Sequence, residues 1–349
     1  MKFLYIANIR IPTEKAHGAA VMRMCEAFAN TGIKLELVVP KRLNPIKQDS
    51  FRYYGIQEGF VIRKLPTLDF VFIGRLGFLF QATSFAMSAF WYALLKRVDI
   101  IYGRDELSLF YLSLFKKNVV WEAHTAKDNW FVGVLLRRSK VIVVISKGLK
   151  DHYISLGARQ EKILVAHSGV DLGVFKNIKE SKEELRNKLG LPVDKKIIAY
   201  IGRRKTMGED KGVEELETIL NSLAQQDPKI HPLIVSEIHS SAVPQYMKAV
   251  DVLVMNYPNA EHYAKYMSPL KLFEYMASGT TIVTSDLPSI REVLNDSSAF
   301  FFEPDNAESL KVAIIAALNS KEDKAQNALK DVKKYSWEKR AKDILTFIT

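Results

Sequence analysis

Short apolar runs dense in Val, Ile and Leu recur along this chain between stretches of helical periodicity, and this alternation limits the fold more than any other feature. In the first half the runs lie at 3–7, 35–39, 61–64, 100–102, 119–122, 141–145 and 163–166. Several are continuously apolar, as parallel strands covered on both faces are. Strands interleaved with helices predict a doubly wound sheet. Around 169–180 the pattern breaks into a turn and a charged stretch, then restarts. Strands follow at 197–201, 233–235, 252–255, 282–284 and 299–302, and helices at 213–225, 243–249, 269–277 and 307–318. A chain of 349 residues suits two domains. The sequence therefore predicts two Rossmann-like α/β domains, 1–175 and 176–330, with a closing segment 331–349. Only one strand-like run separates the helices at 213–225 and 243–249, so the second domain reads as short of one βα unit. Two such domains side by side create a cleft at the carboxyl ends of their strands, where open α/β folds bind ligands.

Charge separates the halves. The chain holds 50 Lys and Arg against 39 Asp and Glu, a formal +11. Residues 1–175 carry 25 basic and 14 acidic side chains, and the remainder 25 of each. The two halves are expected to meet different partners. The single cysteine, Cys25, excludes an internal disulfide and a thiol-based metal site. Its spacing with Val21 and Phe28 gives a buried structural thiol, with a nucleophile as the second reading. The opening MKFLYIANIR is too short an apolar run for a signal peptide and reads as a strand, so the cytosol is the expected compartment.

Between Arg75 and Lys96 lie twenty residues without a charge, LGFLFQATSFAMSAFWYALL, enough for a membrane span. Strand-like runs on both sides belong to one sheet and argue against a span. Gly77, Gln81, Ser84, Ser88 and Tyr92 recur at helical spacing and make the segment amphipathic. It reads either as a core helix or as a helix partly exposed at a bilayer surface, with Arg75, Lys96 and Arg97 at its ends.

Four constellations could carry chemistry. In MSPLKLFEYMASG (267–279), Ser268 suits an N-cap and Pro269 a first helical position. The helix they open offers free backbone N–H groups and a positive dipole end to a phosphate. Lys271 lies in its first turn, and Glu274 is placed to accept hydrogen bonds from vicinal hydroxyls such as a ribose. Alternatively this is a capped amphipathic helix with solvated charges. In YIGRRKTMGEDKG (200–212), a strand ends in glycine and a loop carries Arg203, Arg204, Lys205 and Lys211. Such cations can neutralise a diphosphate leaving group, or form a solvated basic loop. Gly18, ahead of a helix, would let a ligand approach backbone N–H groups closely, or simply make a turn. His124 closes the strand-like WEAH, where an imidazole can bond a sugar hydroxyl or move a proton, or be structural. No GxGxxG, Walker loop, HExxH or GxSxG occurs, which counts against dehydrogenase, NTPase, zinc-protease and hydrolase readings.

Taken together, these residues resemble the retaining GT-B-fold glycosyltransferases of family 4 over essentially the whole chain. Gly18 and its helix look like the family's glycine-led first loop, and WEAH like the strand-end motif bearing its active-site histidine. AHSGVDLGVF resembles the linker motif, with Ser168 in place of an asparagine, and YIGRRKTMGEDKG resembles the Gly-Arg…Lys-Gly loop. SPLKLFEYMASG with SDLPSIREVL is the most specific match, and YSWEKRAKDIL resembles the closing helix that returns to the first domain. The resemblance implies that Arg203 and Lys211 hold the donor diphosphate and that Glu274 binds the ribose. It also implies that Ser268, Pro269, Leu270 and Lys271 line the phosphate and sugar, and that His124 contacts the transferred sugar. Retention in this fold is attributed to front-face attack, with the leaving phosphate helping to deprotonate the acceptor. No metal or cofactor is implied, because arginine and lysine supply the charge; the co-substrate is a UDP- or GDP-sugar.

Three departures stand out. The family's first glutamate position is Tyr266 here, with Glu261 nearby. The basic loop is lengthened, and one βα unit is missing. The activity expected is transfer of a hexose to a lipid-linked or polysaccharide acceptor, in the cytoplasm or peripherally on the inner membrane face. The basic first domain is expected to meet an anionic membrane surface, and no nucleic-acid motif is present. A non-catalytic nucleotide-sugar binder and a nucleotide-sugar epimerase of similar fold are the competing readings.

Overall fold

In a computed structural model, residues 1–206, 209–210, 212–236, 238 and 241–349 are described. The chain divides into two compact units, residues 1–167 with 337–349, and residues 168–336. The first unit is built on β1 (Lys2–Ile6), β2 (Lys34–Pro40), β3 (Val61–Leu65), β4 (Ile100–Gly103), β5 (Val119–Ala123), β6 (Val141–Val144) and β7 (Ile163–Val165). These pair in parallel in the order β3-β2-β1-β4-β5-β6-β7. The chain winds outward from β1 to one edge and then returns to wind from β4 to the other. The switch point, where such sheets bind ligands, is therefore between β1 and β4.

Continuous burial explains the continuous apolar runs. Every residue of β5 is buried, including Trp121, and a fully buried side chain of this kind contributes about 1.5–3 kcal/mol. The helix Ala16–Ala29 buries Val21, Met24, Cys25 and Phe28. Cys25 is thus a core thiol, and burial pushes its pKa up. The closing helix Trp337–Ile348 packs on helix Ala16–Ala29 within the first unit.

The second unit holds β8 (Lys196–Ile201), a short antiparallel pair β9 (Lys205–Thr206) and β10 (Glu209–Asp210), then β11 (Ile230–Val235), β12 (Val252–Met255), β13 (Thr281–Ser285) and β14 (Phe300–Phe302). Its main sheet is parallel, ordered β11-β8-β12-β13-β14, with the switch point between β8 and β12. Among the described residues this sheet has five strands against seven in the first.

One boundary differs from the sequence reading. The division falls after His167 rather than near Phe175, because Val170 and Phe175 are buried in the second unit's core. The polar stripe of the uncharged segment does not face solvent. In the helix Arg75–Leu94 it turns inward and satisfies the loop beside β3. Gln81 Nε2 donates to Asn8 Oδ1 at 2.8 Å, Ser84 Oγ accepts from Leu68 N at 2.9 Å, and Ser88 Oγ donates to Pro66 O at 2.8 Å. The Tyr92 hydroxyl donates to Glu36. Among the described residues, no helix is long and apolar enough to cross a membrane.

Candidate functional site

In the second unit the switch point is flanked by Gly202 and Arg203, just past β8, and Asn256, just past β12. The loop after β12 ends in a π-helical turn, His262–Tyr266, and then the helix Leu270–Ser278. The Tyr275 hydroxyl ties that helix to β8, accepting from Ile201 N at 3.0 Å and donating to Ile201 O at 3.3 Å. The Tyr200 hydroxyl donates to Arg203 O at 2.8 Å and fixes the turn.

Lys271 extends across this turn, its Nζ 3.5 Å from the centroid of the Tyr200 ring, a cation–π contact. Gly202 is favoured by its backbone conformation and packs closely against the end of Lys271. Its φ is +144°, and a Cβ there would meet Lys271 Cε at 2.8 Å and Nζ at 2.9 Å. Glu274 follows Lys271 at i+3, on the same helix face. Burial raises the pKa of its carboxyl, and the charge of Lys271 opposes that rise.

The start of this helix differs from the expected cap. Pro269, not Ser268, occupies the N-cap position, and no side chain caps the helix. Ser268 is engaged elsewhere. Its Oγ accepts from Ser168 N at 2.9 Å, while Ser168 Oγ donates to Ser268 O at 2.6 Å. Ser168, the residue that departs from the linker motif, therefore clamps the Ser268–Pro269 turn. The first-turn N–H groups of the helix consequently receive no side-chain cap. Arg203 is exposed. Arg204 pairs with Glu217 at 2.8 Å, and Lys211 lies outside the described residues.

In the first unit the strand ends carry a buried charge network. His124 follows β5, Arg104 follows β4, and Glu122 lies on the same face of β5 two residues before His124. The Glu122 side chain is fully buried. Its Oε1 lies 2.6 Å from His124 Nε2, 3.0 Å from Arg104 Nη2 and 3.0 Å from Arg340 Nη2. The Tyr102 hydroxyl donates to the other oxygen. Arg340 reaches the network from the closing helix, its Nε donating to His167 O at 2.8 Å.

Burial alone would raise the pKa of Glu122, but Arg104 and Arg340, with His124, outweigh it and hold the carboxyl well below the usual range. An ionised carboxylate only accepts, so His124 Nε2 carries the proton and Nδ1 the lone pair. Burial, then the charge of Arg104, pushes the His124 pKa down to about 4, so the imidazole is neutral near pH 7.

Gly18 is buried in the first turn of helix Ala16–Ala29, its amide donating to Lys15 O at 3.0 Å. A Cβ there would meet Thr13 Cγ2 and the Tyr54 hydroxyl, each at 2.4 Å. That hydroxyl in turn bridges Thr13 N and O, both at 2.8 Å.

The structure thus gathers Arg203, Ser268, Pro269, Leu270, Lys271 and Glu274 in one unit and Gly18 and His124 in the other. Arg104, Glu122 and Arg340 escaped sequence reasoning. The available signals were a charged residue inside an otherwise apolar strand, an arginine at a strand end, and an arginine on the apolar face of the closing helix. No group of three His, Cys, Asp or Glu among the described residues could hold a metal.

Comparison with known proteins gives a consistent assignment. Residues 18–174 match Glycosyltransferase Family 4, and residues 205–320 match Glycosyl transferases group 1. The putative teichuronic acid biosynthesis glycosyltransferase TuaC of Bacillus subtilis is 24% identical over 191 residues, 50% of this chain and 46% of that protein. The chain spans about half the length of the curated relatives it matches. Among solved structures, sucrose-phosphate synthase from Thermosynechococcus elongatus superposes with a TM-score of 0.76 at 16% identity, covering 99% of this chain and 97% of that one. Anabaena HepE, solved with UDP-glucose, gives 0.70 at 16% identity and 99% coverage of both chains. The two parallel-sheet units have the GT-B fold.

Proposed function

Because the chain belongs to the group 1 glycosyltransferases of family 4, we propose that it moves a hexose, with retention, from a UDP- or GDP-sugar to a lipid-linked or polysaccharide acceptor. The observation that carries this reading is the Lys271–Glu274 pair on helix Leu270–Ser278, set beside a turn shaped to receive the lysine. An uncapped helix start with a cation in its first turn suits a diphosphate. Glu274, one turn on, suits ribose hydroxyls. The UDP-glucose bound by HepE, a protein of like fold, supports a uridine donor.

In the proposed reaction the bond between the sugar's C1 and the phosphate oxygen breaks. The acceptor oxygen bonds C1 on the same face, and its proton passes to the departing phosphate. Arg203, Lys211 and Lys271 neutralise the charge that develops on the diphosphate, with no metal in the reading. His124 offers Nδ1 to a hydroxyl of the transferred sugar, and Ser268, Pro269 and Leu270 line the phosphates. The resemblance assigns Gly18 to the donor as well. The basic first unit faces the acceptor side, at the inner face of an anionic membrane.

A thermal-shift screen with UDP-, GDP- and ADP-sugars tests donor binding and the identity of the base. Turnover with the stabilising donor should then fall about 10²–10³-fold in Lys271→Ala, the size of effect seen when one stabilising donor is lost. Undiminished turnover in that variant, and in the double variant Arg203→Ala/Lys211→Ala, would remove these residues from the site. Tyr266, standing where the family has a glutamate, favours a second reading, a binding protein without activity. Donor-dependent stabilisation with neither transfer nor donor hydrolysis would select it.

A further inference from the structure

The helix Arg75–Leu94 is amphipathic in the inverted sense. Its serines, Gln81 and Tyr92 face the protein, and its outer face is apolar along its length except for Thr83. Leu76 is 68% exposed, Phe80 60%, Trp91 56% and, just past the end, Leu95 82%. Leu79 and Met87 fill the positions between them. Twenty residues make a helix of about 30 Å. The turn before it, Val71–Ile73, adds Phe72, 81% exposed, and Ile73. That turn is seated on the helix at Gly77, where a Cβ would lie 1.7 Å from Phe70 O. At the other end, Leu114 and the exposed Phe115, whose ring meets that of Phe90 edge-on at 5.3 Å, widen the strip. Soluble monomers rarely expose a continuous apolar surface of this extent.

The rim of the strip is basic. Arg75 stands at one end, Arg97 at the other beside Lys96, which pairs with Glu36 at 2.7 Å, and Lys116 and Lys117 follow Phe115; Lys116 Nζ donates to Leu94 O at 3.2 Å. No acidic residue occurs between Arg75 and Lys96. The unit that carries the strip holds 28 basic and 15 acidic side chains, a net +13, against 22 and 24, a net −2, in the other unit.

We propose that the outer face of helix Arg75–Leu94, with Phe72 and Ile73, lies in the plane of an anionic bilayer surface, its side chains among the acyl chains and its cationic rim on the headgroups. This deepens the lipid-linked acceptor reading and rests on it for its purpose. The charge argues for lipid over a second copy of the chain. Face-to-face packing of two strips would bring two cationic rims together, whereas an anionic surface neutralises one. An aromatic residue such as Trp91 suits the bilayer interface, and a helix lying flat requires no span.

The test is sedimentation of the full chain with vesicles of phosphatidylcholine alone and with 30% phosphatidylglycerol, in low and high salt. Binding is expected to the anionic vesicles, weakening with salt, with the fluorescence of Trp91 quenched by brominated lipid and that quenching absent in Trp91→Phe. The triple variant Leu76→Ser/Phe80→Ser/Trp91→Ser alters exposed positions. It should keep its melting temperature and its turnover of a water-soluble acceptor, while losing at least tenfold in vesicle affinity. Arg75→Gln/Arg97→Gln should lose less, and lose it most at low salt. Vesicle binding that the triple variant retains would overturn the proposal. So would absence of binding, or a concentration-dependent dimer that the triple variant abolishes. Vesicle binding without any sugar transfer would leave this surface standing and sink the enzymatic reading instead.

Discussion

The two strand-end sites handle buried charge in opposite ways. In the first unit, Glu122 is fully buried and collects two guanidiniums, an imidazole and a phenol around its two oxygens. Every charge there is answered from within the fold, and the result is a histidine fixed in one tautomer. In the second unit, Lys271 lies over an aromatic ring and Glu274 is half-buried with a raised pKa, one helical turn away. A satisfied network orients a group, whereas a cation resting on a ring and a carboxyl partly stripped of water are groups that a ligand can still improve. The first arrangement suits positioning, and the second suits binding.

Removing a single charge from each site should separate them most sharply. Glu122→Gln leaves Arg104 and Arg340 buried beside an amide, and losing one member of such a cluster costs about 3–5 kcal/mol. Glu274→Gln should cost nothing or stabilise slightly. Its raised pKa means that the fold disfavours the ionised form, so at neutral pH the amide relieves a penalty. Urea unfolding of the two variants beside the parent reads both effects. Equal losses would break the comparison.

A second effect comes from pH. His124 and His167 are both held down to about 4, each mainly by burial. The unfolded chain takes up protons near pH 6.5 that the fold refuses until about 4. The contribution of these two histidines to stability should therefore fall as pH drops from 6.5 to 4 and level off below. Around His124 the charged groups are Glu122, Arg104 and Arg340. Because Arg104 is the largest depressing cause after burial, Arg104→Gln should raise the His124 pKa, which NMR titration of the imidazole can follow. An unmoved titration would mean that Arg104 does not set the state of the ring.

Much of this architecture was legible in the sequence, for a physical reason. Parallel strands covered on both faces leave continuous apolar runs, so the strands of both main sheets could be read to within a few residues. The Lys271–Glu274 helix was legible because helical spacing and Pro269 mark it locally. The parts that were not legible depend on distant partners. Ser268 reads as a cap until Ser168, a hundred residues earlier, takes its hydroxyl. Glu122 finds Arg340 at a separation of 218 residues. Helical periodicity shows which residues of 75–94 share a face, but not which face the protein covers. There the inward hydrogen bonds of Gln81, Ser84 and Ser88 decide.

The finest probe of the comparison is Tyr266, where the second unit departs from its family. Its hydroxyl donates to Glu261 Oε1 at 3.1 Å within the π-helical turn, and Lys265 Nζ lies 3.5 Å from the same oxygen. Such turns are frequent at functional sites. If this site is built to be completed by a ligand, the hydroxyl supplies the sugar contact that a glutamate makes elsewhere in the family. A single hydrogen bond contributes about 1 kcal/mol. Tyr266→Phe should accordingly raise the KM for the donor roughly fivefold with kcat little changed. Tyr266→Glu should recover the loss, and Glu261→Gln, which only loosens the hydroxyl, should act more weakly than Tyr266→Phe. A Phe variant with parental KM would move the sugar contact away from Tyr266.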